Sequence, residues 1–440
     1  MVEFERNANI IDDKCPRHSI MIGRYKQSFA YYTLRERLPV ILTKVIDDLS
    51  QNKDTIINEC SEEAREELKI VVGNISELKY QLQTDKELYP LETNEIDKST
   101  WNIFLSSLPE NERTYFSTCW LWAECYLYRR LKTIFEATTT LKNFDYFKSS
   151  KQKALIGSKD SIVSLVKSTR QTLTLDSDID KYFKKLLYLD LWGNKCDLSI
   201  TEGKDIKQTG DQLEAVDHLK EYILIDQAEE IWNLISQKYT GERYIDFICD
   251  NAGYELFTDF LLAEYIIEHK LATKIRFYIK AIPWFISDTT PEDFEWVLKY
   301  LYENNNEELK LIGNKWKSLV DQGKFILLEP DRFFISPYEY YRMKEIAPHL
   351  YDKLSEAHLL IIKGDLNYRK LLGDFTWDYT EKFETCLRGF NPTNICSLRT
   401  VKADLICGLE EGLAEKLFEK DSNWMLTGEY GTVMLQLHKN

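Results

Sequence analysis

Three oxygen-bearing side chains stand out by type and by place. Asp250 and Asn251 end an apolar run in "FICDNAGYEL" (247–256), and Asp288 closes "KIRFYIKAIPWFISD" (274–288). Two carboxylates and an amide oxygen form the ligand set that hard divalent cations such as Mg²⁺ or Mn²⁺ prefer. A softer site would recruit cysteine or histidine, and none of the six histidines sits beside these positions. Taken alone, each segment also has an ordinary reading. "DNAG" is a turn, and "SDTTPED" is a helix start with Ser287 or Asp288 near its N-cap.

Two further stretches supply positive charge. "KGDLNYRK" (363–370) follows the strand-like "HLLII" and reads as a loop, with Gly364 permitting a tight turn. Lys363, Arg369 and Lys370 make it cationic, and an arginine offers a planar fork that suits phosphate oxygens. The alternative is a charged surface turn. In "RTVK" (399–402), strand alternation puts Arg399 and Val401 on one face and Thr400 and Lys402 on the other. A lysine pointing inward is costly unless it meets an anion, so Lys402 is a phosphate-binding candidate, or else a snorkelling edge lysine. At "WGNKCDLS" (192–199), Trp192, Asn194 and Asp197 are candidates to line a cleft between two halves of the chain.

Those halves follow different rules. Residues 1–185 read as a helical N-terminal domain. "YYTLRERLPVILTKVIDDLSQ" spaces Leu34, Leu38, Ile41, Leu42 and Val45 along one helical face, and Ser61 is a plausible N-cap for the helix that follows. The aromatic stripe Trp120, Tyr126, Tyr128 reads as core of a central helix. Residues 186–440 alternate strand and helix. Strands are expected at 244–250, at 274–279 and in "HLLII", "SLRTVK" and "GTVMLQLHK"; helices are expected at 254–269 and from Pro291. The class is therefore α/β: a helical domain beside a Rossmann-like α/β/α sandwich with a mostly parallel central sheet. In such sheets ligands bind beyond the carboxyl ends of the strands, where Asp250 and Asp288 are expected.

Composition narrows the classes. Of 440 residues, Lys+Arg number 57 and Asp+Glu 72, a net charge of −15, which disfavours nucleic acid and anionic membranes as partners. Nine cysteines without a C-x-x-C pair suit a reducing compartment, and Cys249 and Cys407 read as small core residues. No apolar run approaches the roughly 18 residues of a spanning helix, and the first residues lack a secretory apolar core. A cytoplasmic location, or one shared with the nucleus, is expected. The P-loop and the G-x-G-x-x-G turn are both missing.

Taken together, "WGNKCDLS", "DNAGYEL", "KGDLNYRKLLGD" and "RTVKAD" resemble the damage-control phosphatase family. The R-T-x-K element marks its third subfamily, whose sugar-phosphate phosphatases are also described as acidic-residue methyltransferases. "LRERLPVIL" and "WLWAECYLYRR" extend the resemblance into the helical half. It implies that Asp250, Asn251 and Asp288 hold a divalent metal, Mn²⁺ or Mg²⁺ with Co²⁺ or Ni²⁺ as further options. It implies that Asp250 and Asn251 also touch substrate and are the catalytic pair. Asp365, Leu366, Asn367, Tyr368 and Arg369 match the substrate-binding loop, and Lys402 the phosphate-contacting lysine. The implied substrate is a small phosphorylated metabolite, such as fructose 1-phosphate or fructose 6-phosphate. The methyltransferase description would instead assign Glu255 and Asp288 to S-adenosylmethionine, with an acidic protein as substrate. A third reading is a non-catalytic protein whose helical half binds a partner.

Overall fold

The computed structural model describes residues 2–172, 178–193, 213 and 216–439. The helical part carries α1 (Leu38–Gln51), α2 (Ala64–Gln83), α3 (Trp120–Glu136), α4 (Lys148–Gly157) and α5 (Ile179–Leu191). Leu34, Leu38, Ile41, Leu42 and Val45 are all buried, as their spacing requires. Helix α2 starts at Ala64 behind Glu63, so Ser61 lies before the cap. Trp120, Tyr126 and Tyr128 are core, at 1%, 1% and 3% exposure.

The second part is built on a seven-stranded sheet, β1 (Ile223–Asp226), β2 (Tyr244–Ile248), β3 (Lys274–Tyr278), β4 (Phe325–Leu327), β5 (Leu359–Lys363), β6 (Asn394–Thr400) and β7 (Gly431–Gln436). Its order is β1-β7-β6-β5-β2-β3-β4. Every pairing is parallel except β6 with β7. Interleaved with the strands are α6 (Tyr254–Glu268), α7 (Pro291–Tyr302), α8 (Glu307–Asp321) and α9 (Gly364–Leu372). The chain is thus mixed α/β with a mostly parallel sheet, as the alternation indicated.

Both sheet faces are covered, and strand alternation shows it directly. Leu360 and Ile362 of β5 pack into one apolar cluster, together with Leu38, Trp120 and Tyr128 of the helical part. Leu359 and Ile361 point the other way, into a cluster with Leu187, Phe257 and Phe260. Helix α6 lies inside that second layer. Tyr254 through Ile267 are all buried, because neighbouring helices close its outer face. No helix among the described residues is long and apolar enough to cross a membrane.

The strand order holds the key to the site. From β2 the chain moves outward through β3 to β4, whereas β5 pairs on the other flank of β2 and leads to β6. The direction of winding reverses between β2 and β5. Their carboxyl ends part there into a crevice, the topological switch point at which α/β sheets bind ligands.

Candidate active site

The segment after β2 brings Asp250 and Asn251 to this crevice, and the segment after β5 brings Gly364 and Asp365. The Gly364 backbone packs directly against the Asp250 side chain. Gly364 has φ +84, and a Cβ there would strike the Asp250 carboxyl. Only glycine satisfies both the left-handed conformation and the close approach. Helices α6 and α9 start at these junctions, so both N-termini face the crevice, an arrangement that favours an anion.

Asp288 arrives by a different route from the one expected. Strand β3 ends at Tyr278, and Asp288 lies well beyond it on the 279–290 loop. The loop folds back along the β2 exit: Thr289 N–H donates to Asp250 O (2.8 Å), Ala252 N–H to Ser287 O (2.7 Å), and Asn251 bridges Asp288 as in an antiparallel pair. Phe285 and Ile286 take φ +42 and +73, costly for these side chains. Phe285 is braced by stacking on Tyr128 at 4.5 Å. The N-cap of α7 is Thr290, in a capping box with Asp293, which leaves Ser287 and Asp288 free of that role.

The carboxylates are crowded. Burial raises Asp250 well above the usual carboxylate range, and Glu255 and Asp288 push it further. Burial lifts Asp288 to about 6, against the pull of Lys280. Asn251 Nδ2 donates to Asp250 Oδ2 and to Glu255 Oε2, each at 2.7 Å, while its Oδ1 accepts from the Ser287 hydroxyl. Asp288 Oδ2 accepts no hydrogen bond; Lys280 Nζ stands 3.3 Å away. Beneath them Lys363 Nζ donates to Asp190 Oδ1 (2.7 Å) and Asp259 Oδ1 (2.8 Å) and lies 3.3 Å from Glu255. Burial opposes the Lys363 charge, but these acids raise its pKa well above the ordinary lysine value. Glu255, 5% exposed, is therefore tied into the network that holds Asn251.

Asp250, Asn251, Glu255, Asp288, Asp365, Leu366, Arg369 and Lys402 line one open pocket of about 140 Å³. Asn367 and Tyr368 do not reach it, because "KGDLNYRK" is helix α9 rather than a loop. Asn367 turns inward to accept from Tyr340 Oη (3.0 Å) and donate to Lys363 O (2.8 Å). Tyr368 packs beneath Arg399 and donates to or accepts from Cys407 Sγ at 3.5 Å. Lys370 also turns inward, onto the Ser336 carbonyl at 2.9 Å. Arg369 reaches the pocket already committed, to Asp374 at 2.7 Å and to Glu124, with its plane over Trp120.

Lys402 is half-buried in the pocket wall, although not as a strand residue. Strand β6 stops at Thr400. The loop beyond is pinned by buried Arg399, which donates to Ala403 O (3.2 Å), Leu405 O (2.8 Å) and Asp365 Oδ1 (2.7 Å). Trp192 is fully buried in the second apolar cluster, and Asn194 and Asp197 lie outside the described residues.

The family model "Damage-control phosphatase ARMT1-like domain" matches residues 33–417. This chain belongs to that family. It is 39% identical to human "Damage-control phosphatase ARMT1", covering 93% of this chain and 96% of the human one. The zebrafish (Danio rerio) protein of the same name is 39% identical over 93% and 95%. A solved DUF89 family protein from Pyrococcus horikoshii aligns with TM-score 0.42 and 18% identity, covering 79% of this chain and 92% of that one.

In this ARMT1-like chain, several pocket residues escaped sequence reasoning. Phe29, Arg37, Ile41, Trp120, Glu124 and Tyr128 all come from the helical part. Trp120 and Tyr128 were assigned to the core, correctly, but the core's edge is the pocket wall. Lys363 was read as part of a charged loop, whereas it is the last residue of β5 and 1% exposed. Its signal was an otherwise unbroken apolar strand ending in a lysine.

Proposed function

We infer that this protein is a metal-dependent phosphatase that hydrolyses phosphate monoesters of small metabolites, sugar phosphates among them. One observation carries the reading. Four strand-exit segments converge at the switch point and set Asp250, Asn251 and Asp288 in the same pocket as Lys402. The names of the relatives support the phosphatase class.

The residues present fit a hard divalent cation. Every donor is oxygen, and Asp288 Oδ2 is buried without a hydrogen bond. Among the described residues no group of three or more His, Cys, Asp or Glu side chains forms a metal cage. The set is therefore two carboxylates and the Asn251 amide oxygen, which the Ser287 hydroxyl orients. When bound, such a cation neutralises phosphoryl charge and lowers the barrier to attack by water.

The chain's own residues do the rest. Lys402 holds a phosphoryl oxygen, and the N-terminal amides of α6 and α9 favour its negative charge. Asp365, fixed by Arg399, faces the organic part of the substrate. A water oxygen attacks phosphorus, the ester P–O bond breaks, and the departing alkoxide takes a proton from solvent. Asp250 takes the proton of the attacking water.

A screen of phosphate release from sugar phosphates with Mg²⁺, Mn²⁺, Co²⁺ and Ni²⁺ tests this. Turnover that a chelator stops and one of these ions restores is the expected result. Undiminished turnover in chelator, or in Asp250→Ala, would overturn the assignment of metal and ligands.

A further inference from the structure

The pocket holds an arginine that the site described so far does not use. Three cationic side chains line it: Arg37, Arg369 and Lys402. Arg369 is neutralised by Asp374 and Glu124. Asp365, Asp288 and Glu255 are matched in the same way, by Arg399, Lys280 and Lys363, while the carboxylate of Asp250, among the proposed metal ligands, accepts only from the Asn251 amide among the described residues. The head groups of Arg37 and Lys402 have no hydrogen-bond or ion-pair partner among the described residues. A phosphate monoester carries nearly two negative charges at neutral pH. Lys402 balances one of them.

Local structure explains why Arg37 points where it does. It ends a π-helical turn, Thr33–Arg37, set directly before α1. Leu34 and Leu38, on either side of it in sequence, are fully buried and anchor the turn in the core. The wider turn shifts the following side chains out of the regular helical register, a device common at functional sites. Arg37 stays exposed at the pocket rim. Burial raises the pKa values of Glu124 and Tyr128; Arg37 is close enough to oppose that rise, yet bonds to neither. Its neighbour Arg35, on the same turn, is spent on structure: it donates to Gln83 O at 3.2 Å and lies over the Phe4 ring.

We propose that Arg37 is a substrate-binding residue, contributed by the helical part, that grips the phosphoryl group of the substrate from the side opposite the sheet. The proposal rests on the phosphatase reading and adds that the site is complete only when the helical part is in place. A guanidinium brings two parallel donors to two phosphoryl oxygens, which a lysine cannot do.

The test uses the full chain with Mg²⁺ and inorganic phosphate as the probe. Phosphate affinity is measured by calorimetry, and kinetics are followed with p-nitrophenyl phosphate. Arg37→Ala weakens phosphate binding between about tenfold and a hundredfold, the range of a lost charge-assisted contact. KM rises more than kcat falls, and the melting temperature is unchanged. Arg37→Lys recovers part of the affinity. Arg35→Ala leaves phosphate affinity at the wild-type level. Wild-type phosphate binding and turnover, with Arg37→Ala within twofold of wild type in affinity, would overturn the role of Arg37 and leave the phosphatase reading standing. A wild-type chain that neither binds phosphate nor releases it from any phosphomonoester would remove both.

Discussion

The two segments that meet at the switch point make an instructive pair. "DNAGYE" after β2 and "KGDLNYRK" after β5 both run from a parallel strand into a helix through a glycine with positive φ, Gly253 at +81 and Gly364 at +84. In the first, Asp250, Asn251 and Glu255 all face the pocket. In the second, Asp365, Leu366 and Arg369 face it, while Asn367, Tyr368 and Lys370 turn into the protein. The difference is where the helix starts. After β2 four residues of irregular chain, 249–252, precede Gly253 and α6, so neighbouring side chains can converge. After β5 the helix starts at Gly364 itself, and a 3.6-residue period divides the side chains between two faces. A strand that exits into a loop and a strand that exits into a helix therefore differ in how many neighbouring residues they can turn to one pocket.

The sharpest way to break this comparison is Asp250→Ala. The expected loss of metal-dependent phosphate release is about a thousandfold or more, with a folded protein by circular dichroism. Near-normal activity would show that the β2 exit does not bind the reacting group.

Gly364→Ala tests the close approach between the two segments. The added methyl must displace the Asp250 carboxyl and adopt a left-handed conformation. About 1–3 kcal/mol of stability should be lost, along with about a hundredfold in kcat/KM for a 1 Å misplacement of the site. Gly253→Ala, where a Cβ has nearest neighbours at 3.7 and 3.8 Å, should show the conformational cost with little of the collision.

Lys370 sharpens the picture of the inward face. Burial lowers its pKa from 10.5 to about 8. Between these values the unfolded chain binds more protons than the folded one, so the Lys370 contribution to stability rises with pH from about 8 to about 10.5. Below pH 8 the penalty for holding the buried cation is constant, on the order of 3 kcal/mol. Urea denaturation across pH 7–11 should show this rise in the wild type and its absence in Lys370→Met. Parallel profiles for the two proteins would mean that Lys370 is not held as described.

The smallest effects separate the two faces of α9. Asn367→Ala should cost about 1–3 kcal/mol of stability by stranding the Tyr340 hydroxyl and the Lys363 carbonyl, with KM within about twofold of wild type. Asp365→Ala should instead raise KM about tenfold, on the order of 1.4 kcal/mol, and also lower the melting temperature, because it leaves the buried Arg399 guanidinium without its carboxylate. Steady-state kinetics and thermal denaturation of the two variants decide between them.

Much of the arrangement was legible because its signals are local. Strand alternation in "HLLII", the Gly in "KGD" and the carboxylate-amide pair in "CDNAG" all announce themselves within a few residues. What could not be read was orientation. Nothing local distinguishes a loop from a first helical turn in "KGDLNYRK", since Gly-Asp suits both. Asp288 was placed at the end of β3, and it sits in the pocket only because the 279–290 loop doubles back to pair with Asn251. The helical wall was also hidden. Trp120 and Tyr128 carry an apolar pattern that fits a core residue whether or not a pocket borders it.

The order of residues along the chain, by itself, determined the class of the fold, the strand exits at which polar side chains gather, and the oxygen and cation types available there. Those follow from hydrophobic period and from the intrinsic chemistry of side chains, which act at short range. Tertiary structure alone decided which of these groups meet. Strand order opened the crevice between β2 and β5, helix phase chose the faces, and the packing of the helical part brought Arg37, Glu124 and Trp120 across from residues hundreds of positions away. Such choices depend on long-range burial and charge pairing, which no single segment encodes.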